Sequence, residues 1–371
     1  MSALRELETP ALLLERRIME ANWRRMSGHV SRLGPALRLH VKTAKSLEVV
    51  RQLGGGQAGP ICVSTLKEAE VFGAHGYRDV LYTVALAPNK LARAARLARS
   101  GVGLKVVVDN VALARALAGA PLEVLIEVDS DGHRAGVKPG DPQLLEVAQA
   151  VASGGARVAG VMTHAGASYD CRSPGEIRAM AKREADAARL AAARLREAGF
   201  AVSVVSVGST PTATFAEDLA GVTEVRAGVF VFQDLVMAGL GVCGIEDIAL
   251  SVLATVIGHQ ADRGWALIDA GWMALSRDRG TARQSVDQGY GVVCDAAGRV
   301  IDGLIVAEAN QEHGIVAHRS GDPAKLPPLP VGSQLRILPN HACATAAQHA
   351  RYHVLDAAGE IEATWGRFGG W

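Results

Sequence analysis

The stretch Arg38-Leu39-His40-Val41-Lys42-Thr43-Ala44-Lys45 follows a Gly34-Pro35 turn signal and sets apolar residues in alternation with basic ones. That pattern predicts a short strand. Ala36, Leu37, Leu39 and Val41 would supply its body, and period-two geometry would put Arg38, His40 and Lys42 on one face. Basic side chains on the face of an inner strand are uncommon unless they are paired or catalytic. A lysine in a partly apolar pocket beside other positive groups is pushed toward its neutral amine, the form that Schiff-base chemistry needs. The plainer alternative is a strand end whose basic residues reach solvent.

Outward from this stretch the chain alternates. Apolar, strand-like runs recur at 36–42, 60–64, 79–84, 103–108, 121–129, 157–163, 202–207 and 223–227. Segments of helical period rich in Ala, Leu, Arg and Glu lie between them, at 44–53, 65–75, 88–99, 110–118, 141–153 and 174–198, and residues 11–33 also have a helical pattern. Eight strands with intervening helices over about 230 residues match a (β/α)8 TIM barrel. The rival, an open doubly wound sheet, lacks its signature Gly-x-Gly-x-x-Gly turn after an early strand. Gly54-Gly55-Gly56 closes a helix and reads as a cap and turn. Beyond residue 245 or so, Val-, Ile- and Gly-rich runs at 251–258, 265–269, 291–295, 300–307, 314–317, 334–339 and 352–356 are broken by turns, as in an antiparallel β-domain. The expected organisation is a barrel over 11–243 and a β-domain over 244–371, with residues 1–10 packing with the latter.

Composition narrows the function. The 371 residues are 49% hydrophobic and 21% charged, which suits a globular chain with a sizeable core. A formal net charge of +1 gives no electrostatic case for nucleic acid or an anionic membrane. No apolar targeting segment opens the sequence and no uncharged stretch reaches transmembrane length. The five cysteines, at 62, 171, 243, 294 and 343, are too scattered for a disulfide framework. A cytoplasmic protein is expected.

Barrel enzymes work at the C-terminal ends of their strands. Here the first strand ends at Lys42, the fifth runs into Asp129-Ser130-Asp131-Gly132-His133-Arg134-Ala135-Gly136, and the sixth ends in Thr163-His164-Ala165-Gly166. The seventh and eighth end in Ser206-Val207-Gly208-Ser209-Thr210-Pro211 and Arg226-Ala227-Gly228-Val229. Loops after strands seven and eight are the usual phosphate site of this fold, because bare amides there can approach an anion. Each glycine alone would pass as a turn residue; beside a reactive lysine they suggest a cofactor that carries phosphate.

These residues resemble the fold-type III pyridoxal-phosphate enzymes, in the branch of D-threonine aldolase, D-serine dehydratase and the enzymes that cleave or dehydrate 3-hydroxyaspartate. The resemblance runs nearly end to end, from Glu8-Thr9-Pro10-Ala11 through the stretches just quoted to Ile268-Asp269-Ala270-Gly271, Gln311-Glu312-His313-Gly314 and Pro339-Asn340-His341-Ala342-Cys343-Ala344-Thr345. Leu39 departs from it, since many relatives have Pro before the His. The resemblance implies that Lys42 forms the Schiff base with pyridoxal 5′-phosphate and moves the Cα proton, with His40 beside it. It places Arg134 and His164 near the cofactor ring and Gly208, Ser209, Thr210, Gly228 and Val229 around the phosphate. A satisfied core histidine is the alternative for His164, and a surface turn residue the alternative for Arg134.

In His341-Ala342-Cys343 two possible ligands stand one residue apart, so an extended backbone would send both to one side. Imidazole plus thiolate suits Zn²⁺ better than a hard cation, although an isolated pair of this kind is more simply a half-buried piece of core. The resemblance implies a metal site there, beside the cofactor. It also implies that His-x-Cys marks the zinc-dependent dehydratases, whereas the aldolases carry His-x-Asp with a harder metal such as Mn²⁺ or Mg²⁺. Asp269, Gln311, Glu312 and His313 are expected to line the same pocket. The function that follows is a lyase acting on a D-β-hydroxy amino acid, chiefly a dehydratase releasing a 2-keto acid and ammonia, in a homodimer that closes its sites with the partner's C-terminal domain. Aldol cleavage to glycine and an aldehyde is the alternative. A racemase would need a second base, and the C-terminal half offers only Tyr290 and Tyr352 as tyrosines; a non-catalytic cofactor carrier would need only the barrel.

Overall fold

The structure is a computed structural model and describes residues 3–371. The first strand, β1 (Ala11–Glu15), is a correction to the helical reading of 11–33: the helix begins only at Arg16 and runs to Arg32. Residues 11–14 are all buried, and a short, wholly apolar run carries no period that separates strand from helix.

Eight parallel strands form a closed barrel in sequence order: β2 (Ala36–His40), β3 (Ile61–Val63), β4 (Asp79–Ala85), β5 (Gly103–Val108), β6 (Glu123–Val128), β7 (Arg157–Thr163), β8 (Val204–Val207) and β9 (Glu224–Ala227). β9 closes on β2 with Arg38 opposite Arg226. Cys62, Leu81, Val107, Leu125, Ala159 and Met162 form an apolar cluster, with Val204 packed against it. Toward the N-terminal ends of the strands lies a charged layer. Arg38 is 3% exposed and donates to Glu224 (2.8 Å) and Asp79 (2.9 Å), while Lys105 reaches the same Asp79 at 2.8 Å. Such charges are tolerable inside only because they are paired. Arg38 therefore belongs to the barrel floor, not to the reactive face. Hydroxyl and amide side chains cap the helices that follow the strands, Ser46, Thr65, Asn110, Ser173 and Ser209 each accepting from a first-turn N–H.

The second unit is built from β1 with β10 (Leu250–Gln260), β11 (Trp265–Ile268), β12 (Val292–Asp295), β13 (Val300–Ala309), β14 (Gly314–His318), β15 (Gln334–Leu338), β16 (Arg351–Leu355) and β17 (Ile361–Gly366). Their order is β11-β14-β13-β12-β15-β10-β1-β16-β17, and β11 also pairs with β10, so six of the strands close a ring. All pairings are antiparallel except β1 with β16. Leu235, Ile248, Val292, Cys294, Ile305 and Leu338 pack in one cluster, and Leu4, Ala11, Leu13, Leu253 and Leu355 in another.

The two compact units therefore have limits other than 11–243 and 244–371. One is Arg24–Gly228 with the last two residues; the other joins the chain up to Trp23 to Val229–Gly369. The reason is that β1 supplies a strand to the β-sheet and Leu235 sits in the β-unit core. Of the N-terminal ten residues, Leu4 packs in that unit and residues 1 and 2 lie outside the described residues. Among the described residues no helix is long and apolar enough to cross a membrane.

Candidate active site

β2 ends at His40, and Lys42 stands exposed in the turn that follows, rather than in the partly apolar pocket expected of it. Two features hold that turn. Lys45 closes it, its N–H donating to the Val41 carbonyl at 2.8 Å, with φ at 44°. The Lys45 ammonium also lies 3.2 Å from Glu68, a fully buried carboxylate that accepts from Ser64 N–H and the Thr65 hydroxyl. His40 Nε2 pairs with Thr83 Oγ1 at 3.1 Å. Burial holds its ring well below the usual histidine range, and Lys42, Arg226 and His164 push the same way.

His164 donates from Nδ1 to the Gly208 carbonyl at 2.9 Å, which fixes its tautomer and leaves Nε2 uncommitted. Burial is the main cause that brings its pKa down to about 3; the Gly208 bond opposes this, and Lys42, Arg134 and Arg226 add to it. Arg226, 4% exposed, donates to Ser206 Oγ at 2.6 Å and to the Thr163 carbonyl. Arg134 is more open: its side chain is 57% exposed, 3.5 Å from the buried Glu127. Burial pushes the Glu127 carboxyl up, and Arg134 works against that shift.

The loop after β8 demands glycine. Gly208 has φ 138°, and a Cβ there would sit 2.1 Å from the Arg226 carbonyl oxygen. A Cβ on Gly228 would come within 2.8 Å of the His40 carbonyl oxygen. Ser209 caps the short helix Thr210–Phe215 in a reciprocal capping box with Thr212. Val229, next along the chain, opens a 3₁₀ turn in the other unit. An exposed lysine, bare backbone held close by glycines and cations acting on both histidines make a mouth suited to an anionic carbonyl compound. The residues present fit pyridoxal phosphate.

One contributor was not picked out in the sequence. Glu184, on the helix Pro174–Glu197, is 1% exposed and accepts from Ala165 N–H at 2.9 Å and Gly208 N–H at 3.0 Å. Its signal was available, because it interrupts the buried stripe of Ile177, Met180, Ala181, Ala185 and Ala188.

In the β-unit, His341 donates from Nδ1 to Asp278 at 2.6 Å. Burial opposes charge on this ring, but Cys343, Asp278 and Asp234 overcome it and raise its pKa to about 11; the thiol is within hydrogen-bonding reach of the ring. Asp234, buried, holds the adjacent backbone by accepting from Ala342 N–H at 2.9 Å. Asn340 is clamped by the Thr281 hydroxyl (2.5 Å) and the Gly289 carbonyl (2.7 Å). Among the described residues no cluster of three His, Cys, Asp or Glu side chains is poised for a metal. The candidate donors are thus one imidazole and one thiol, with a carboxylate on the imidazole. Imidazole plus thiol is a donor chemistry that fits a zinc-class ion, and the Asp278–His341 contact is the kind that orients metal-binding histidines. Asp269 is engaged otherwise: its two oxygens take the Thr9 hydroxyl (2.5 Å) and Thr255 N–H (2.7 Å). Gln311, Glu312 and His313 are exposed in the connection between β13 and β14, whose backbone carbonyls at Asn310 and Gln311 accept from Trp272 and Met273.

Two family models match the chain, "Alanine racemase, N-terminal domain" over residues 15–235 and "Putative serine dehydratase domain" over 249–355. The chain belongs to the fold-type III pyridoxal-phosphate lyases. Within that family it is 53% identical to D-threo-3-hydroxyaspartate dehydratase of Delftia sp. strain HT23, across 98% of each chain. It is 32% identical to D-threonine aldolase of Arthrobacter sp., across 98% of this chain and 92% of the aldolase. Solved structures of the dehydratase include a cysteine-to-alanine mutant in the metal-free form, with a TM-score of 0.96, 52% identity and full coverage of both chains. A histidine-to-alanine mutant superposes with the same score and identity over 99% of this chain and 97% of its own.

Proposed function

We propose that this chain dehydrates a D-β-hydroxy amino acid of the 3-hydroxyaspartate or serine type, releasing a 2-keto acid and ammonia. The observation that carries the reading is the His341–Cys343 pair, braced by Asp278. The histidine and cysteine replaced in the two dehydratase mutants are two positions apart, the spacing of His341 and Cys343.

When bound, pyridoxal phosphate supplies an electron sink for the Cα carbanion and a divalent metal a Lewis acid for the departing hydroxyl. Lys42 would hold the cofactor covalently, and its Nζ would serve as the acceptor of the Cα proton. The backbone of Gly208, Ser209, Thr210, Gly228 and Val229 binds the phosphate. Arg134 and His164 hold the ring, His164 as a neutral group with its proton on Nδ1. His40, also neutral, keeps a hydrogen bond to Thr83 beneath Lys42 and adds no competing charge. His341 and Cys343 would hold the metal, most suitably Zn²⁺. Loss of the proton and the hydroxyl leaves an enamine, which hydrolyses to keto acid and ammonia after release. The same reading includes a homodimer in the cytoplasm, and the absence of any disulfide among the five cysteines accords with that compartment.

Aldol cleavage would use the same lysine and the same metal-holding residues, and the similarity to D-threonine aldolase keeps it as the second reading. The thiol at position 343 favours dehydration. Product analysis decides between them. Cofactor-loaded protein is offered D-serine, D-threonine and D-threo-3-hydroxyaspartate, with and without EDTA. Keto acid and ammonia, lost on chelation and restored by Zn²⁺, are expected; glycine with an aldehyde would overturn the dehydratase reading.

A further inference from the structure

Three loops at the barrel mouth are stitched to one another. The loop after β6 reaches the end of β7 through Thr163 Oγ1 to Ser130 Oγ (2.9 Å) and the loop after β7 through Ala167 N–H to Asp131 Oδ2 (2.9 Å). The loop after β7 reaches the loop after β8 through Ser168 and Ser209 hydroxyls at 2.9 Å and through His164 Nδ1 to the Gly208 carbonyl at 2.9 Å. Beneath both of the last two loops sits one carboxylate oxygen. Glu184 Oε1 accepts from Ala165 N–H and Gly208 N–H, and the Thr212 hydroxyl also bonds to this carboxylate. Gly208 is therefore held at both ends of its peptide geometry, its N–H by Glu184 and its carbonyl by His164. A carboxylate buried in an apolar helix stripe costs stability unless its bonds are needed, and here they join two loops that the helix could otherwise cover with a methyl group.

The geometry points to Glu184 as a positioning residue for the cofactor: it locks the ring-holding His164 and the phosphate-binding Gly208-Ser209-Thr210 loop into one rigid unit. This rests on the pyridoxal-phosphate reading above. Glu184 does not touch the reacting atoms; it sets the distance between the group that holds the ring and the groups that hold the phosphate.

The test titrates cofactor-free wild type and variants with pyridoxal 5′-phosphate, reading Kd from the visible absorption band. Glu184→Ala strands two buried N–H groups and is expected to raise Kd by about tenfold to a hundredfold. Glu184→Gln keeps the acceptor oxygen and restores most of the affinity, whereas Glu184→Asp, a methylene shorter, behaves like the alanine variant. The ring ¹⁵N shifts of His164 give a second readout: a fixed Nδ1–H tautomer in wild type and a mixture in Glu184→Ala. Ser173→Ala is the control, because it removes the N-cap of the same helix and should lower Tm with Kd unchanged. Cofactor affinity and His164 tautomer equal to wild type in Glu184→Ala and Glu184→Asp would overturn the proposal, as would an equal loss of affinity in Ser173→Ala. Should Glu184→Ala not fold, the contrast between the Asp and Gln variants decides. A wild type that binds no pyridoxal phosphate would instead sink the functional reading on which this one stands.

Discussion

The histidines of the barrel mouth and the histidine of the β-unit are perturbed in opposite directions. In the barrel, burial first, and then Lys42 and Arg226, hold His40 and His164 neutral. In the β-unit the imidazole of His341 is partly desolvated too, its side chain 39% exposed, yet Cys343, Asp278 and Asp234 raise it to about 11. Burial alone would have pushed all three the same way. The sign of the neighbours makes the difference: the barrel mouth presents cations and suits an anionic cofactor, whereas the His341 site presents anions and suits a cation. The two candidate sites are electrostatic opposites, and each experiment below asks whether one of them behaves according to its sign.

The largest effect belongs to the barrel. On the proposed reading Lys42→Ala would remove both the covalent anchor and the base, and turnover should fall by about a thousandfold or more. The visible band that marks covalent attachment should vanish, while metal bound per chain stays at the wild-type value. A variant that keeps the band would show that another amine anchors the cofactor, and the assignment of Lys42 would fail.

The β-unit comes next. With His341 and Cys343 as the proposed donors, Cys343→Ala should abolish metal retention. Asp278→Ala should keep the metal but weaken it by about tenfold to a hundredfold, the usual cost of losing the carboxylate that orients a histidine ligand. Excess Zn²⁺ should then rescue turnover in the Asp278 variant and not in the Cys343 variant. Metal competition titrations measure both. Equal affinity in wild type and Asp278→Ala would mean that the 2.6 Å contact does not serve a metal.

Much of this was legible because it depends on local patterns. Eight apolar runs separated by amphipathic helices are enough to argue for a barrel, and the rule that chemistry sits at strand C-termini leads straight to Lys42, His164 and Gly208. What period-two reading could not show is where Arg38 ends up. It alternates correctly with His40, yet its partners Asp79 and Glu224 lie 41 and 186 residues away in the chain. Residues 11–14 hide their strand for the complementary reason, since a strand buried on both faces has no polar side to reveal its period. Their sheet partners lie near residues 250 and 353, beyond any local signal. Glu184 was readable in principle as a charge in an apolar stripe. Asp269 is legible as a pocket residue but its partners are not, because Thr9 and Thr255 must be folded against it before its bonds exist.

The smallest effect tests the barrel side of the comparison without cofactor or substrate. His164 titrates near 6.5 in the unfolded chain and near 3 in the folded one. Between those values the unfolded chain binds a proton that the folded chain does not, so unfolding gains ground as pH falls. The contribution is full above about 6.5, erodes as pH drops toward 3, and is gone once both states are protonated. His40, shifted the same way, steepens the slope. In the cofactor-free protein Tm should therefore fall between pH 7 and pH 4, and His164→Gln should flatten that fall by the share of about one proton. If the two Tm profiles run parallel, His164 is charged or solvated in the folded protein, and the barrel mouth is less cationic in effect than Lys42, Arg134 and Arg226 make it.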